Sequence, residues 1–178
     1  MEVWLESSQR IGNKGIDAVF SLDAENGISV RDGCLYRDGV QIGGHIHIDS
    51  ESAQSQARSL AGSVEWILLT FEDWSMIPIE NVLAATESTP TKVAAQIVQP
   101  IQAQGAAFAL DIGVDALLCT NNCLEAALIA KSLRLEQITE SPSMGSKERE
   151  PLQLTTMTIT AVQEGHSGDR VCIDLLSM

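Results

Sequence analysis

Short apolar runs alternate with longer amphipathic stretches along this chain, and that rhythm sets the expected elements. Trp66 to Leu69 (W-I-L-L) has the length and bounds of a buried strand. Thr70, Phe71, Glu72 and Asp73 then place polar and acidic groups where such a strand ends. Pro78 stands near the start of the helix that follows, where a missing N–H costs nothing, and Glu80 is expected in its first turn, complementing the helix dipole. Val82, Leu83 and Ala84 are expected to face inward. Lys92 to Val98 reads as the next strand. Pro100 opens a helix to about Ile112, with Ala103, Ala106, Ala107 and Leu110 as its packing face and Gly113 as its end. Val114 to Cys119 is a buried strand, and Cys123 to about Ile138 a helix with Leu124, Leu128, Leu135 and Ile138 toward the core. Strands alternating with helices through short connections predict parallel pairing with the helices outside.

The N-terminal part is less regular. Glu2 to Ser7 reads as a strand or the end of a helix, and Gly15 to Leu22 as a strand with Asp17 at its edge. The D-G pairs at 32–33 and 38–39 and the G-G at 43–44 signal turns. Between them, Ile28 to Val30 and Cys34 to Tyr36 have the makings of a small hairpin. His45 to Asp49 (H-I-H-I-D) alternates strictly, so His45, His47 and Asp49 share one strand face and Ile46 and Ile48 the other. That face reads either as a two-His, one-carboxylate metal triad or as a polar face wetted by solvent; the second is the expectation, with no metal site assigned. Ser50 to Gly62 is a helix, with Ser50 as N-cap, Gly62 at its end and a thin stripe of Ala53, Ala57 and Leu60.

Beyond the last helix the pattern changes. Residues 139–150 are rich in Ser, Pro and charge and are expected to form a mobile surface loop. Leu152 to Val162 and Asp169 to Leu176 read as strands, giving a β-rich end over 151–178. The fold expectation is α/β: one domain over 1–178, an incomplete (β/α) barrel-like parallel sheet with that β-rich C-terminal end.

Composition narrows the class. At 178 residues, with 44% hydrophobic residues and mean hydropathy +0.07, one domain with a real core is expected. Acids outnumber bases 24 to 11, and the formal charge of −13 disfavours nucleic acid and anionic membranes as partners. Cys34, Cys119, Cys123 and Cys172 form no C-x-x-C pair and read as reduced thiols. No apolar run approaches the roughly 18 residues of a membrane span, so a cytoplasmic protein is expected.

Two segments carry a resemblance. Asp73 to Asn81 (D-W-S-M-I-P-I-E-N) and Ser167 to Asp174 (S-G-D-R-V-C-I-D) resemble hallmark segments of the type II, archaeal-type 3-dehydroquinate synthases, in the family's order. The stretches K-V-A-A-Q-I-V and G-V-D-A-L-L-C resemble two of its strands. The resemblance implies oxidation of 2-amino-3,7-dideoxy-heptulosonate at the amine carbon with NAD, loss of ammonia and closure to 3-dehydroquinate, in aromatic amino-acid synthesis. A related branch makes aminohydroxybenzoates from a phosphorylated analogue. Such chemistry needs a base for the amine and for the carbon beside the ketone, and donors for the enolate and carboxylate. The matching segments offer Asp73, Glu80, Lys92 and Asp169 as catalytic groups, Asp73 and Glu80 as acid/base and Lys92 to bind an anion or assist at a carbonyl; Asn81, Arg170 and Asp174 are offered as substrate-holding groups, with Asp169 and Asp174 orienting Arg170. Family members continue past the D-R-V-C-x-D segment with Thr-Cys-Ser-Leu and a long second half. Here Leu175-Leu176 follow instead, so the expectation is a fragment. Its missing strands would leave an open sheet edge, and hence self-association or pairing with the missing half. No G-x-G-x-x-G follows a strand, so NAD is implied only by the resemblance. Two other readings are a metal-dependent hydrolase on His45, His47 and Asp49, and an inactive remnant or partner subunit.

Overall fold

The computed structural model describes residues 1–7, 15–21 and 26–140, with 138–140 described by backbone alone. Eight strands follow in order: β1 Glu2–Glu6, β2 Ala18–Phe20, β3 Ile28–Arg31, β4 Cys34–Arg37, β5 Val40–Ile48, β6 Trp66–Phe71, β7 Lys92–Ile97 and β8 Ala116–Cys119. Helix α1 (Glu51–Ser59) follows β5, α2 (Met76–Thr86) follows β6, α3 (Pro100–Phe108) follows β7 and α4 (Leu124–Glu140) follows β8.

The sheet closes. Every strand pairs with its neighbour in sequence, and β1 pairs in parallel with β8 from Glu2 opposite Ala116 to Leu5 opposite Cys119. The α/β expectation holds, but the incomplete barrel with an open edge does not. The short N-terminal strands, together with the hairpin, complete the ring without further units. Closure removes the edge on which the expected self-association rested. The sheet is also not wholly parallel: β4 runs against β3 and β5, while every other pairing is parallel.

That reversal follows from local chemistry. Asp32-Gly33 and Asp38-Gly39 both adopt positive φ, at 50° and 73° and at 49° and 78°. Two consecutive left-handed residues make the tight turn whose twist matches antiparallel strands, which Asp-Gly tolerates best. Asp38 adds a side-chain tie, accepting from the Gly27 amide at 2.7 Å.

Alternation along the strands sorts side chains inside and outside. Trp4, Phe20, Ile28, Leu35, Trp66, Leu68, Ala94, Ala116 and Leu118 fill the barrel interior. The intervening Val3, Leu5, Ile46, Ile48, Ile67, Leu69, Val93, Ala95 and Leu117 face outward under the helices. Buried Ala103, Ala106 and Ala107 on α3, with Ala127 and Ala130 on α4, bring these helices close. Ser50 caps α1 as expected, accepting from the Ala53 amide at 3.2 Å.

Several helical expectations shift. Helix α2 begins at Met76, two residues before Pro78, so Glu80 falls beyond its first turn. Ala84 is exposed while Ile79, Val82 and Leu83 are buried, because Ile79 and Val82–Leu83 lie one turn apart on a single face. Helix α3 stops at Phe108, and a 3₁₀ turn over Ala109–Asp111 follows, with Leu110 at φ 54°. Leu135 is 55% exposed, the alanines of α4 taking the core side instead. Helix α4 runs through Thr139 and Glu140, into the stretch expected as loop. The rest of that loop and the β-rich 151–178 end lie outside the described residues. Among the described residues no helix is long and apolar enough to cross a membrane.

Candidate functional site at the carboxyl mouth of the barrel

Seven strands point the same way, so their carboxyl ends share one rim, and each of the four helices starts from it. In barrels of this kind the loops at that rim carry the chemistry, because strand ends and helix N-termini converge there. Register fixes which side chains line it. His45 lies opposite Leu68, and His47 opposite Thr70. Leu68 is an interior residue, so both histidines point inward. The same alternation places Glu6 on β1, Glu72 just past β6 and Gln96 on β7 on the inner face.

Thr70 ties the two histidines together: its Oγ1 stands 2.8 Å from His45 Nε2 and 3.0 Å from His47 Nδ1. Burial, and secondarily the charge of His47, lowers the pKa of His45 below its ordinary 6.5. A histidine easier to protonate unfolded than folded costs stability on the acid side. Its contribution is complete above about pH 6.5 and is lost as pH falls toward the lowered folded value. His45→Gln is therefore expected to flatten the fall in melting temperature between about pH 6.5 and 5 relative to the parent chain, as thermal melts across that range would show.

The turn after β6 forms the lip of the mouth. Asp73 is exposed there. Trp74 follows and is pinned: its indole Nε1 donates to the Gln96 carbonyl at 3.1 Å, and its ring meets Phe71 edge-on at 6.3 Å. The same ring reaches α3 at Gly105, where a side chain would crowd the end of Met76. The D-W-S turn is thus fastened to β6, β7 and α3 at once. Trp74→Phe removes the hydrogen bond and keeps the ring; it is expected to lower the unfolding free energy by about 1 kcal/mol, read from urea midpoints.

The remaining sequence candidates divide. Glu80 and Asn81 lie on α2, roughly 6 Å along its axis from the lip. Glu80 is half-buried, and Asn81 Nδ2 is buried without a hydrogen-bond partner among the described residues. Lys92 is at the opposite mouth, a full strand length of roughly 17 Å away. Its ammonium stands 5.1 Å from the Trp66 ring centroid and 4.0 Å from Glu65. Arg37 covers Trp66 and Trp4 at 5.4 and 5.5 Å and pairs with Glu2, so this end of the barrel is closed by cations stacked on indoles. Lys92 reads here as a packing group rather than a reacting one. Asp169, Arg170 and Asp174 lie outside the described residues.

The His45, His47 and Asp49 triad is not assembled. Asp49 follows the strand, where its Oδ1 accepts from Ser50 Oγ at 2.8 Å. Among the described residues no three His, Cys, Asp or Glu side chains come together to hold a metal ion. Asp115 is structural: its Oδ2 accepts from the Val93 amide at 2.9 Å. Thr70, Gln96 and Glu6 were not legible as site residues, since only parallel register and closure bring them beside the histidines.

Comparison with known proteins decides the family. A family model for the 3-dehydroquinate synthase II N-terminal domain matches residues 7–133. The chain belongs to this family. It is similar to the 3-dehydroquinate synthase of Methanothermobacter thermautotrophicus, 31% identical over 144 residues, 81% of this chain and 36% of that protein. It is similar also to the 3-dehydroquinate synthases of Methanothrix thermoacetophila and Halobacterium salinarum. The first is 29% identical, covering 79% of this chain and 36% of the relative; the second is 31% identical, covering 75% and 32%. The chain thus spans about a third of the length of the curated relatives it matches. No solved structure matches it significantly. In the synthase II family frame, the D-W-S segment falls within the matched residues and on the carboxyl mouth. The Ser167–Asp174 segment lies beyond the match.

The mouth's own chemistry bears on what it can hold. Its inner face carries Glu6 and Glu72, with Asp73 on the lip, and among the described residues no Lys or Arg stands there: Arg31 lies on Tyr36, Arg37 and Lys92 close the other end, Lys131 pairs with Asp17, Arg58 sits in the last turn of α1 and Arg134 donates to the Ala107 and Val114 carbonyls. Carboxylates suit an ammonium group and disfavour a diphosphate. Among the described residues, what this rim offers a dinucleotide's diphosphate is the amide groups at the helix N-termini rather than cations.

Proposed function

We propose that this chain provides the barrel part of a type II 3-dehydroquinate synthase, converting 2-amino-3,7-dideoxy-heptulosonate to 3-dehydroquinate with NAD. The observation that carries this reading is the position of the family's D-W-S segment: it forms the lip of the carboxyl mouth, pinned by Trp74, in the turn that follows the strand whose Thr70 meets two imidazoles. The mouth supplies what the protein side of such a reaction needs. Glu6, Glu72 and Asp73 offer carboxylates to the substrate's ammonium, and Asp73 is the acid/base group of the lip. The substrate's carboxylate calls for a cation, which is the role proposed for Arg170, with Asp169 and Asp174 orienting it. Glu80 and Asn81 support α2 behind the lip. NAD supplies the hydride acceptor when bound; none of the roles given to the described residues depends on it.

The test is a turnover assay on the purified chain with the aminodideoxy-heptulosonate and NAD, following NADH and dehydroquinate together. Coupled formation of both supports the reading. No product at high protein concentration, even with the rest of a relative's length supplied as a second polypeptide, would refute it.

A further inference from the structure

Thr70 holds two imidazoles at once, at 2.8 and 3.0 Å from a single hydroxyl oxygen. One hydroxyl proton serves one acceptor, so at least one of the two ring nitrogens must carry a proton of its own. Two arrangements satisfy the hydroxyl, and in one of them the Nδ1–H of His47, exposed at the rim, donates to Thr70 while Thr70 donates to Nε2 of the half-buried His45. A neutral His47 in that tautomer has its lone pair on Nε2, which makes no hydrogen bond among the described residues. A base held in one tautomer by an ordered partner is the arrangement that proton-abstracting sites require.

We propose that His47 Nε2 is the proton acceptor of the barrel mouth and that Thr70 and His45 are positioning residues that fix its tautomer. The proposal rests on the synthase reading only for which proton is taken, that of the substrate's ammonium or of the carbon beside its ketone. His47 Nε2 takes that proton, and the bonding pair stays on the substrate. The imidazolium keeps its Nδ1–H on Thr70 and later gives the Nε2 proton to the departing amine or to water. The charged groups around this mouth are Glu72 just past β6 and Glu6 on β1 on the inner face, Asp49 just past β5 and Asp73 on the lip. The hairpin turn at Asp32-Gly33 meets β5 through its backbone, the His45 amide donating to the Gly33 carbonyl at 2.8 Å. Gln96 on β7 is neutral.

The experiment uses the whole chain with ¹⁵N-labelled histidine. Long-range ¹H–¹⁵N spectra across pH report the tautomer of each ring, with His45→Gln and His47→Gln assigning the signals. In the parent chain His47 should be protonated at Nδ1 and His45 bare at Nε2. Thr70→Val should give both rings mixed tautomers, and Thr70→Ser should restore the parent pattern. Tautomers unchanged in Thr70→Val would overturn the proposal. In the turnover assay His47→Gln should lower kcat at least tenfold and alter its acid limb, and Thr70→Ser should stay within about twofold of the parent. Undiminished turnover in His47→Gln would also overturn it. Ordered tautomers in a chain with no turnover, even with the rest of a relative's length supplied as a second polypeptide, would refute the synthase reading and leave the oriented base standing.

Discussion

Gly43→Ala is expected to keep the barrel from closing. Gly43 is paired with Trp66 in the β5–β6 register, and a methyl group there would overlap the Trp66 carbonyl oxygen and crowd its backbone. The obstacle is main chain held in a parallel ladder, so it cannot turn aside as a side chain can. Overpacking a core with a movable neighbour costs about 1–3 kcal/mol, and a fixed one more. With a domain's whole stability at about 5–15 kcal/mol, the variant should be insoluble or melt about 10 °C or more below the parent. Gly44 provides the internal control. It points outward, where an added methyl crowds the movable end of Leu60 and makes ordinary contact with the Gly33 carbonyl, so Gly44→Ala should cost about 1 kcal/mol. Circular dichroism melts of the pair decide it: equal losses would mean that β5 does not approach β6 as described.

Asp73→Asn should lower turnover by roughly 10²–10⁴-fold, the usual consequence of removing a positioned acid/base group. The change keeps the size, removes the negative charge and the capacity to take up a proton, and turns one acceptor oxygen into a donor. Asp73 is exposed, so its loss should leave the melting temperature within about 1 °C. Glu72→Gln, one residue earlier on the same turn, separates a specific role from a general loss of negative charge. If both variants lose activity alike, the lip acts through its charge on the ammonium. If Asp73→Asn keeps full activity, the acid/base assignment fails.

These two positions also show where sequence suffices. The elements themselves were legible: the apolar run at Trp66, the Ser50 cap, the Asp-Gly turns and the alternation of H-I-H-I-D all depend on neighbours within a few residues. The D-W-S segment, too, was readable as the end of a strand leading into a helix. The family resemblance rested on it and on a second segment, and the comparison with the family confirms the kinship over residues 7–133. Lys92 shows the opposite. Being first in a strand, it had to fall at the amino mouth once the strands ran parallel, yet its place beside the hallmark segments drew it into the site.

The sequence by itself determined the local units of this protein: which residues alternate, where helices begin, and which turns reverse the chain. Each of these is set by side-chain chemistry acting over a few positions. Only the tertiary structure decided that the sheet closes, because closure depends on β1 meeting β8 across more than a hundred residues. It alone decided that Thr70 joins His45 to His47, since two strands must align in one register for a single hydroxyl to reach both rings. It also sent Lys92 and Asp73 to opposite mouths, because the two ends of a parallel strand lie a full strand length apart.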